Sequence, residues 1–506
     1  MAPDHGVAWQ TPLARRAAEL RPHNGDCFSL IEEVPNTIMA INDIVNLSRG
    51  QFAMTAIFHI IWPILTISLS AFLLLVETLW VRTNDVVYYR HARFWVKLLV
   101  LNFAVGVVSG IPMEFQFGTN WAGFSRYTGE FIGYILGFEG TLAFLLEAGF
   151  IGVMLYGWGR VPRGVHLFAT AMVAFGSSLS AFWIMVANSW MQSPAGVAVV
   201  DGRLVVTDYL AAIFNPDMIW GVTHMWVGAL ETGAFVIAGI SAFYLYRRRY
   251  GEFFLRSFKL ALIALLVIAP LQIWLGDSSG FEVFRTQPAK GAAIEGDWHT
   301  NAPGTGAPWA LLAWPDQAQQ KNDWALELPT MLSVLGTHSL TGKITGLAEI
   351  PRADQPPMVP LLFYAFRVMA GIGFWFMVLA FWSAWVWRKT RGRLTEMLRQ
   401  RKLLLAWVLS IPLPYIAVES GWIVREVGRQ PWVVYGLLRT RDAATLLPAG
   451  TIATSMTMFA FFYAILIATF VVFAYKWLKK GPDLDALPPA FVKPLRPQAR
   501  LLETQS

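Results

Sequence analysis

Residues 52–80 read FAMTAIFHIIWPILTISLSAFLLLVETLW, and in this stretch only His59 and Glu77 can ionise. A helix that crosses a bilayer needs about 20 mostly apolar residues, so the stretch is long enough to span. Eight further stretches have the same character: Phe94–Met113, Phe131–Trp158, His166–Ala187, Ile219–Tyr246, Phe258–Leu275, Leu361–Trp387, Leu403–Val424 and Ile452–Trp477. The expected fold is therefore an all-α integral membrane protein of about nine transmembrane helices.

Composition agrees with that reading. Of 506 residues, 55% are hydrophobic and 14% charged, against about a quarter charged in soluble domains, which excludes an ordinary soluble enzyme. The 23 Trp suit rings at the headgroup level. Cys27 is the one cysteine, so an internal disulfide, a multi-thiolate iron–sulfur cluster and covalent c-type haem are all excluded. Any redox cofactor must be held non-covalently.

The net charge of +7 would suggest nucleic acid in a soluble domain, but here the cations gather in turns between spans and no nucleic-acid partner is expected. Arg82, Arg90 and Arg93 follow the first span, Arg160 and Arg163 the third, and Arg247, Arg248 and Arg249 the fifth. Arg388, Lys389, Arg391, Arg393, Arg399, Arg401 and Lys402 follow the seventh. Positive turns stay in the cytoplasm, which puts the N-terminus outside and the C-terminus inside, as an odd number of spans requires. The expected organisation is a disordered extension or misassigned start over 1–38, with Met39 as the native start; helices 1–6 over 39–276; an outer loop over 277–360; helices 7–9 over 361–480; and a cytoplasmic tail over 481–506. The loop far exceeds common connection lengths, which makes it functional or disordered, and its run of Gly, Pro and Trp (Trp298, Pro303, Gly304, Gly306, Pro308, Trp309) reads as an ordered loop rather than a domain.

Ionisable side chains within spans are costly and usually functional. His59 and His224 lie well inside, His166 at a span edge, and an interfacial position suffices for Glu77. Glu139 and Glu147 are eight residues apart, about 12 Å along a helix and about 80° around it; they could be proton stations or neutral acids bonded to neighbouring helices. Arg367 needs an anionic partner, for which haem propionates are one candidate, and it raises the standing of nearby Met369 as a ligand. Glu231, seven residues after His224, receives no role. The eighth span ends in Glu419-Ser420-Gly421-Trp422-Ile423-Val424-Arg425-Glu426-Val427-Gly428-Arg429-Gln430-Pro431-Trp432, with acids and arginines packed around one turn.

That last string, with Met113-Glu114-Phe115-Gln116-Phe117-Gly118-Thr119-Asn120-Trp121, resembles subunit I of the cytochrome bd quinol oxidases from about Met39 to the ninth span. The resemblance implies a nine-helix, haem-bearing subunit. His224 and Met369 would ligate a low-spin haem b, a six-coordinate arrangement suited to electron transfer. His59 and Glu426 would serve a high-spin haem b and a haem d, undivided between the two. Glu139 would lie against the oxygen-binding haem, as a further candidate metal-site residue, and Glu147 below it on the proton path. Trp422, Arg367 and Arg429 are taken as cofactor-binding.

The outer loop resembles the family's quinol-binding loop, with Lys290 and Glu295 as its polar groups; read alone, both would be solvated charges. Lacking an insertion, it resembles the short-loop branch that includes the cyanide-insensitive oxidases, some of which carry a third haem b in place of haem d. The expected activity is oxidation of ubiquinol or menaquinol by dioxygen in the bacterial inner membrane, without pumping. A second multispan subunit (subunit II) and sometimes a small single-helix subunit are the implied partners. A haem–copper oxidase would need more intramembrane histidines than this chain offers. A haem-free secondary transporter is the rival of another class, and it would show broken helices around a midplane site.

Overall fold

The computed structural model describes the backbone of residues 27–490 and the side chains of 43–490. Among the described residues, nine helices are long and apolar enough to cross a membrane. They are α1 (Cys27–Thr83), α2 (Val86–Gly118), α3 (Ala122–Tyr156), α4 (Arg163–Gln192), α5 (Met218–Tyr246), α6 (Gly251–Thr286), α7 (Val359–Thr390), α8 (Arg401–Val427) and α9 (Ala449–Lys480). The expectation for residues 1–38 falls mainly outside the described residues; 27–38 belong to α1. Of the expected tail, 491–506 also lie outside them.

Apolar packing ranks the helices by depth. In α5, 83% of the most apolar window is buried, against 17% in α3 and 6% in α9, so α5 is central and the other two peripheral. Around α5 the core joins Leu69, Trp95, Phe235, Phe258, Phe376 and Trp407 from six helices. Gly233 lets α1 close in, since a Cβ there would lie 2.0 Å from Ser68 Oγ. At the turn into α2, Asp85 caps the helix by accepting from the Val87 N–H and pairs with Arg256 of α6 at 2.8 Å.

Three departures from simple spans bear on the site. First, α3 contains two π-helical stretches, Gly129–Gly133 and Glu139–Phe144. A π-bulge adds one residue to a turn, so eight residues from Glu139 to Glu147 rotate as seven would, and the expected 80° shrinks to about 20°. Second, α8 is interrupted between Leu409 and Leu413, where Pro412 and Pro414 withhold backbone donors. Third, α6 continues to Thr286, so the long connection to α7 begins ten residues later than its apolarity suggested.

That connection is ordered. It holds a helix, Pro288–Glu295, and an antiparallel hairpin of β3 (Trp309–Asp316) and β4 (Lys321–Leu328). A smaller hairpin, β1 (Val197–Val200) and β2 (Arg203–Val206), links α4 to α5. Its Asp201 and Gly202 both have positive φ, as a tight hairpin turn of this sequence requires. A third pair, β5 (Trp432–Val434) and β6 (Leu438–Arg439), follows α8.

Candidate functional site

Each of the three ligand-type side chains lies against a glycine of a neighbouring helix. A Cβ at Gly110 of α2 would come within 3.0 Å of His59 Cε1, one at Gly276 of α6 within 3.4 Å of His224 Cε1, and one at Gly421 of α8 within 2.9 Å of Met369 Sδ. The glycines let imidazole and thioether lie close to backbone. His59 Nδ1 is 3.0 Å from Ser109 Oγ, and that hydroxyl donates its one proton to the Gly106 carbonyl at 2.9 Å. With both bonds made, His59 donates through Nδ1, which leaves the lone pair on Nε2 for a metal. His224 has a buried Nδ1 without a partner among the described residues.

The acids of α3 meet one face of α4. Ser180 Oγ donates to Glu139 at 2.6 Å and Ser177 Oγ to Glu147 at 2.5 Å. The serines are three residues apart, one helical turn, so the π-bulge brings both acids to the same stripe of α4. Gly176 allows the approach, as a Cβ there would sit 3.1 Å from Glu147. Further along α4, His166 Nδ1 is 2.5 Å from Glu77 and Thr170 donates to the other Glu77 oxygen at 2.6 Å. All three are buried, so Glu77 is a member of a closed cluster.

At the end of α8, Glu426 accepts from Asn188 at 2.8 Å and Gln192 at 3.3 Å, and pairs with Arg429. Arg429 is 3% exposed while Glu426 keeps 35% of its side chain accessible. The cation is thus enclosed and the carboxylate open. Among the described residues, Nε and Nη1 of Arg429 are buried with no acceptor. Arg425 bonds Asn188 at 2.5 Å and Asp217 at 2.5 Å. Trp422 is half-buried on the same helix, and Glu419 buries both carboxylate oxygens without a hydrogen-bond partner.

Lys290 and Glu295 are not solvated charges: each is buried, at 3% and 4% exposure. They stand five residues apart on the loop helix, about 140° around it, and reach different partners. Lys290 Nζ donates to Gln192 at 2.5 Å and so joins the Glu426 network. Burial, together with Arg425 and Arg429, pushes its ammonium well below the usual lysine range. Glu295 accepts from Arg367 at 2.7 Å and from the Trp309 indole at 2.8 Å. Burial raises its carboxyl although these donors oppose the shift. Glu295 is therefore the anionic partner of Arg367, which also donates to the Ile294 and Ala310 carbonyls and stacks on Phe363 at 3.6 Å. The Arg367 Nε is buried without an acceptor among the described residues.

Sequence reasoning had not singled out Ser177, Ser180, Asn188 or Gln192, nor Asp217 and Trp309 that complete the two networks. A signal existed for the first four. With His166 and Thr170 they fall within an arc of about 120° of α4 at 100° per residue, a polar stripe in an otherwise apolar helix.

Comparison with known proteins agrees with the architecture. A family model for cytochrome bd terminal oxidase subunit I matches residues 47–482. The chain is 36% identical to cytochrome bd-II ubiquinol oxidase subunit 1 of Escherichia coli K12, covering 87% of this chain and 97% of that one. It is 36% identical to cytochrome bd ubiquinol oxidase subunit 1 of Bacillus subtilis 168, covering 87% and 94%. The solved bd oxidase from Geobacillus thermodenitrificans superposes with a TM-score of 0.79 at 32% identity, over 87% of this chain and 99% of the other. The interruption of α8, a feature that a transporter would also show, thus lies in an oxidase. From residue 47 to residue 482, this chain belongs to the cytochrome bd terminal oxidase subunit I family.

Proposed function

We propose that the chain is the haem-bearing subunit of a short-loop cytochrome bd quinol oxidase. In this reading His224 and Met369 hold a low-spin haem b, and His59 and Glu426 serve a high-spin haem b and a haem d or third haem b. When bound, the haems supply electron transfer and the reduction of dioxygen. The observation that carries the reading is the seating of His59, His224 and Met369 on Gly110, Gly276 and Gly421, with Ser109 leaving His59 Nε2 free as a ligand atom. Arg429, with two buried unpartnered donors, and Arg367, with one, suit propionates.

The residues around the haem ligands divide the remaining work. Glu295, raised towards its protonated form by burial, takes a quinol proton at the loop, where Trp309 and Arg367 orient its carboxylate. Lys290 acts from the other face of the loop helix, through Gln192, and positions Glu426 more than it polarises quinol. Glu147 and Glu139, each held by a serine of α4, carry protons inward along one stripe. The basic turns after α1, α3, α5 and α7 support a cytoplasmic source for those protons and an outer quinol loop. Each charge so separated stores about 2.3 kcal/mol per 100 mV. The family works with other oxidase subunits; the partners we expect are a second multispan subunit and a small single-helix one.

The test is a reduced-minus-oxidised spectrum with haem extraction on the complete oxidase. Low-spin and high-spin bands with three haems per subunit I are expected. A preparation without haem bands would overturn the reading, and extraction of haem b alone would assign haem b to the oxygen site.

A further inference from the structure

The turn after α7 is the most basic segment of the chain: seven cations lie between Arg388 and Lys402 with one acid, Glu396. That acid is engaged with Arg399 at 3.0 Å. Between the helix end and the turn lies a cavity of about 360 Å³ lined by Trp385, Lys389, Arg391, Arg393 and Glu396. Among the described residues none of Lys389, Arg391 and Arg393 has an ion-pair partner; Lys389 Nζ lies 5.3 Å over the Trp385 ring. Arg391 has φ 53°, a left-handed conformation that glycine or asparagine adopts more cheaply. Gly392 follows at φ 63°, and a Cβ there would strike the Trp387 ring at 2.7 Å. The turn therefore holds a strained arginine at the cavity wall where charge without a protein counter-ion is concentrated.

An apolar stripe leads down from this cavity. Phe374, Val378, Phe381 and Trp385 recur at four, three and four residues, so they share one face of α7, and each is more than half exposed. The stripe is about 16 Å long, close to the half of a ~30 Å hydrocarbon core that one leaflet provides. Its upper end is a tryptophan, the residue that favours the headgroup level.

We infer that this cavity binds the headgroup phosphate of an anionic phospholipid whose acyl chain lies along the α7 stripe. Cations recognise the phosphate, and the exposed aromatic and aliphatic side chains recognise the chain. A free phosphate would use only the first set and a zwitterionic lipid would gain little from it. The site is independent of the haem and quinol assignments.

The test uses the complete, delipidated oxidase and native mass spectrometry with phosphatidylglycerol or phosphatidylcholine as probe. The expected result is one retained phosphatidylglycerol and no comparable phosphatidylcholine. Arg391→Gln with Arg393→Gln should weaken it about 30-fold, from about 1 kcal/mol per surface cation. Glu396→Gln, which removes the opposing charge, should tighten it, and Trp385→Ala should weaken it. Arg247→Gln, in another basic turn, should leave it unchanged. Equal retention of both lipids, an unaltered affinity in the double variant, or displacement by millimolar inorganic phosphate with no effect of Trp385→Ala would overturn the proposal.

Discussion

Ser109 decides which nitrogen of His59 is available. When the hydroxyl gives its proton to the Gly106 carbonyl, the imidazole meets it as a donor, and that tautomer keeps Nε2 as the free nitrogen. Nothing in the string around His59 reveals this, since the partner sits fifty residues away on α2. Asp297 shows burial at work on another single group. Its Oδ2 is buried without a partner, and burial with Glu295 and Glu327 pushes its carboxyl from 3.8 up to about 7. The folded loop then holds a proton that the unfolded loop releases, so stability is full below about pH 4, falls as pH rises through the window to about 7, and stays low above it. Asp297→Asn should make the loop more resistant to proteolysis at about pH 8 and leave it unchanged at about pH 4. A gain at the lower pH alone would contradict the assignment.

Among elements, α3 departs most from its sequence reading. Apolar length made all nine spans legible, because hydropathy depends on composition and not on hydrogen-bond pattern. The π-helical stretch Glu139–Phe144 was not, since a bulge needs only one unmatched backbone bond and leaves no compositional mark. Its consequence is specific: it turns Glu139 onto the stripe of α4 that Glu147 already meets at Ser177. Inserting one alanine after Thr141 should make the segment rotate as eight residues would and swing Glu139 about 100° away from Ser180. Oxygen consumption with an artificial donor should then fall about 10²-fold, the lower range for a positioned proton-transfer group, with haem content kept. Undiminished turnover would show that the two acids do not act in line. The loop helix illustrates the opposite limit. Lys290 and Glu295 were recognisable as residues of interest, but their separate partners, Gln192 and Arg367, depend on how the loop docks.

At the scale of the molecule, the loop helix joins two networks, which the proposed reading gives to quinol oxidation and to the oxygen site. Glu295 is tied to α7 through Arg367, whereas Lys290 is tied to α4 and α8 through Gln192. Glu295→Gln keeps an acceptor for Arg367 and Trp309 but cannot take a proton. It should slow quinol oxidation about 10²-fold while oxygen reduction with an artificial donor persists, and equal loss of both would remove Glu295 from the quinol reaction. The same scale explains the exposed apolar faces of α3 and α9, which in a subunit of a larger oxidase are left for other subunits or lipid. Sequence alone could identify those helices as spans but not as peripheral, because depth is a property of packing.

The claim on which the rest depends is that Met369, seated on Gly421, is an axial ligand of the low-spin haem. Met369→Leu conserves volume and removes the sulfur. The reduced-minus-oxidised spectrum of this variant should lose the low-spin haem b signal or show it converted to high spin, with the chain still inserted and the other haems retained. A low-spin spectrum identical to that of the unaltered oxidase would contradict the account.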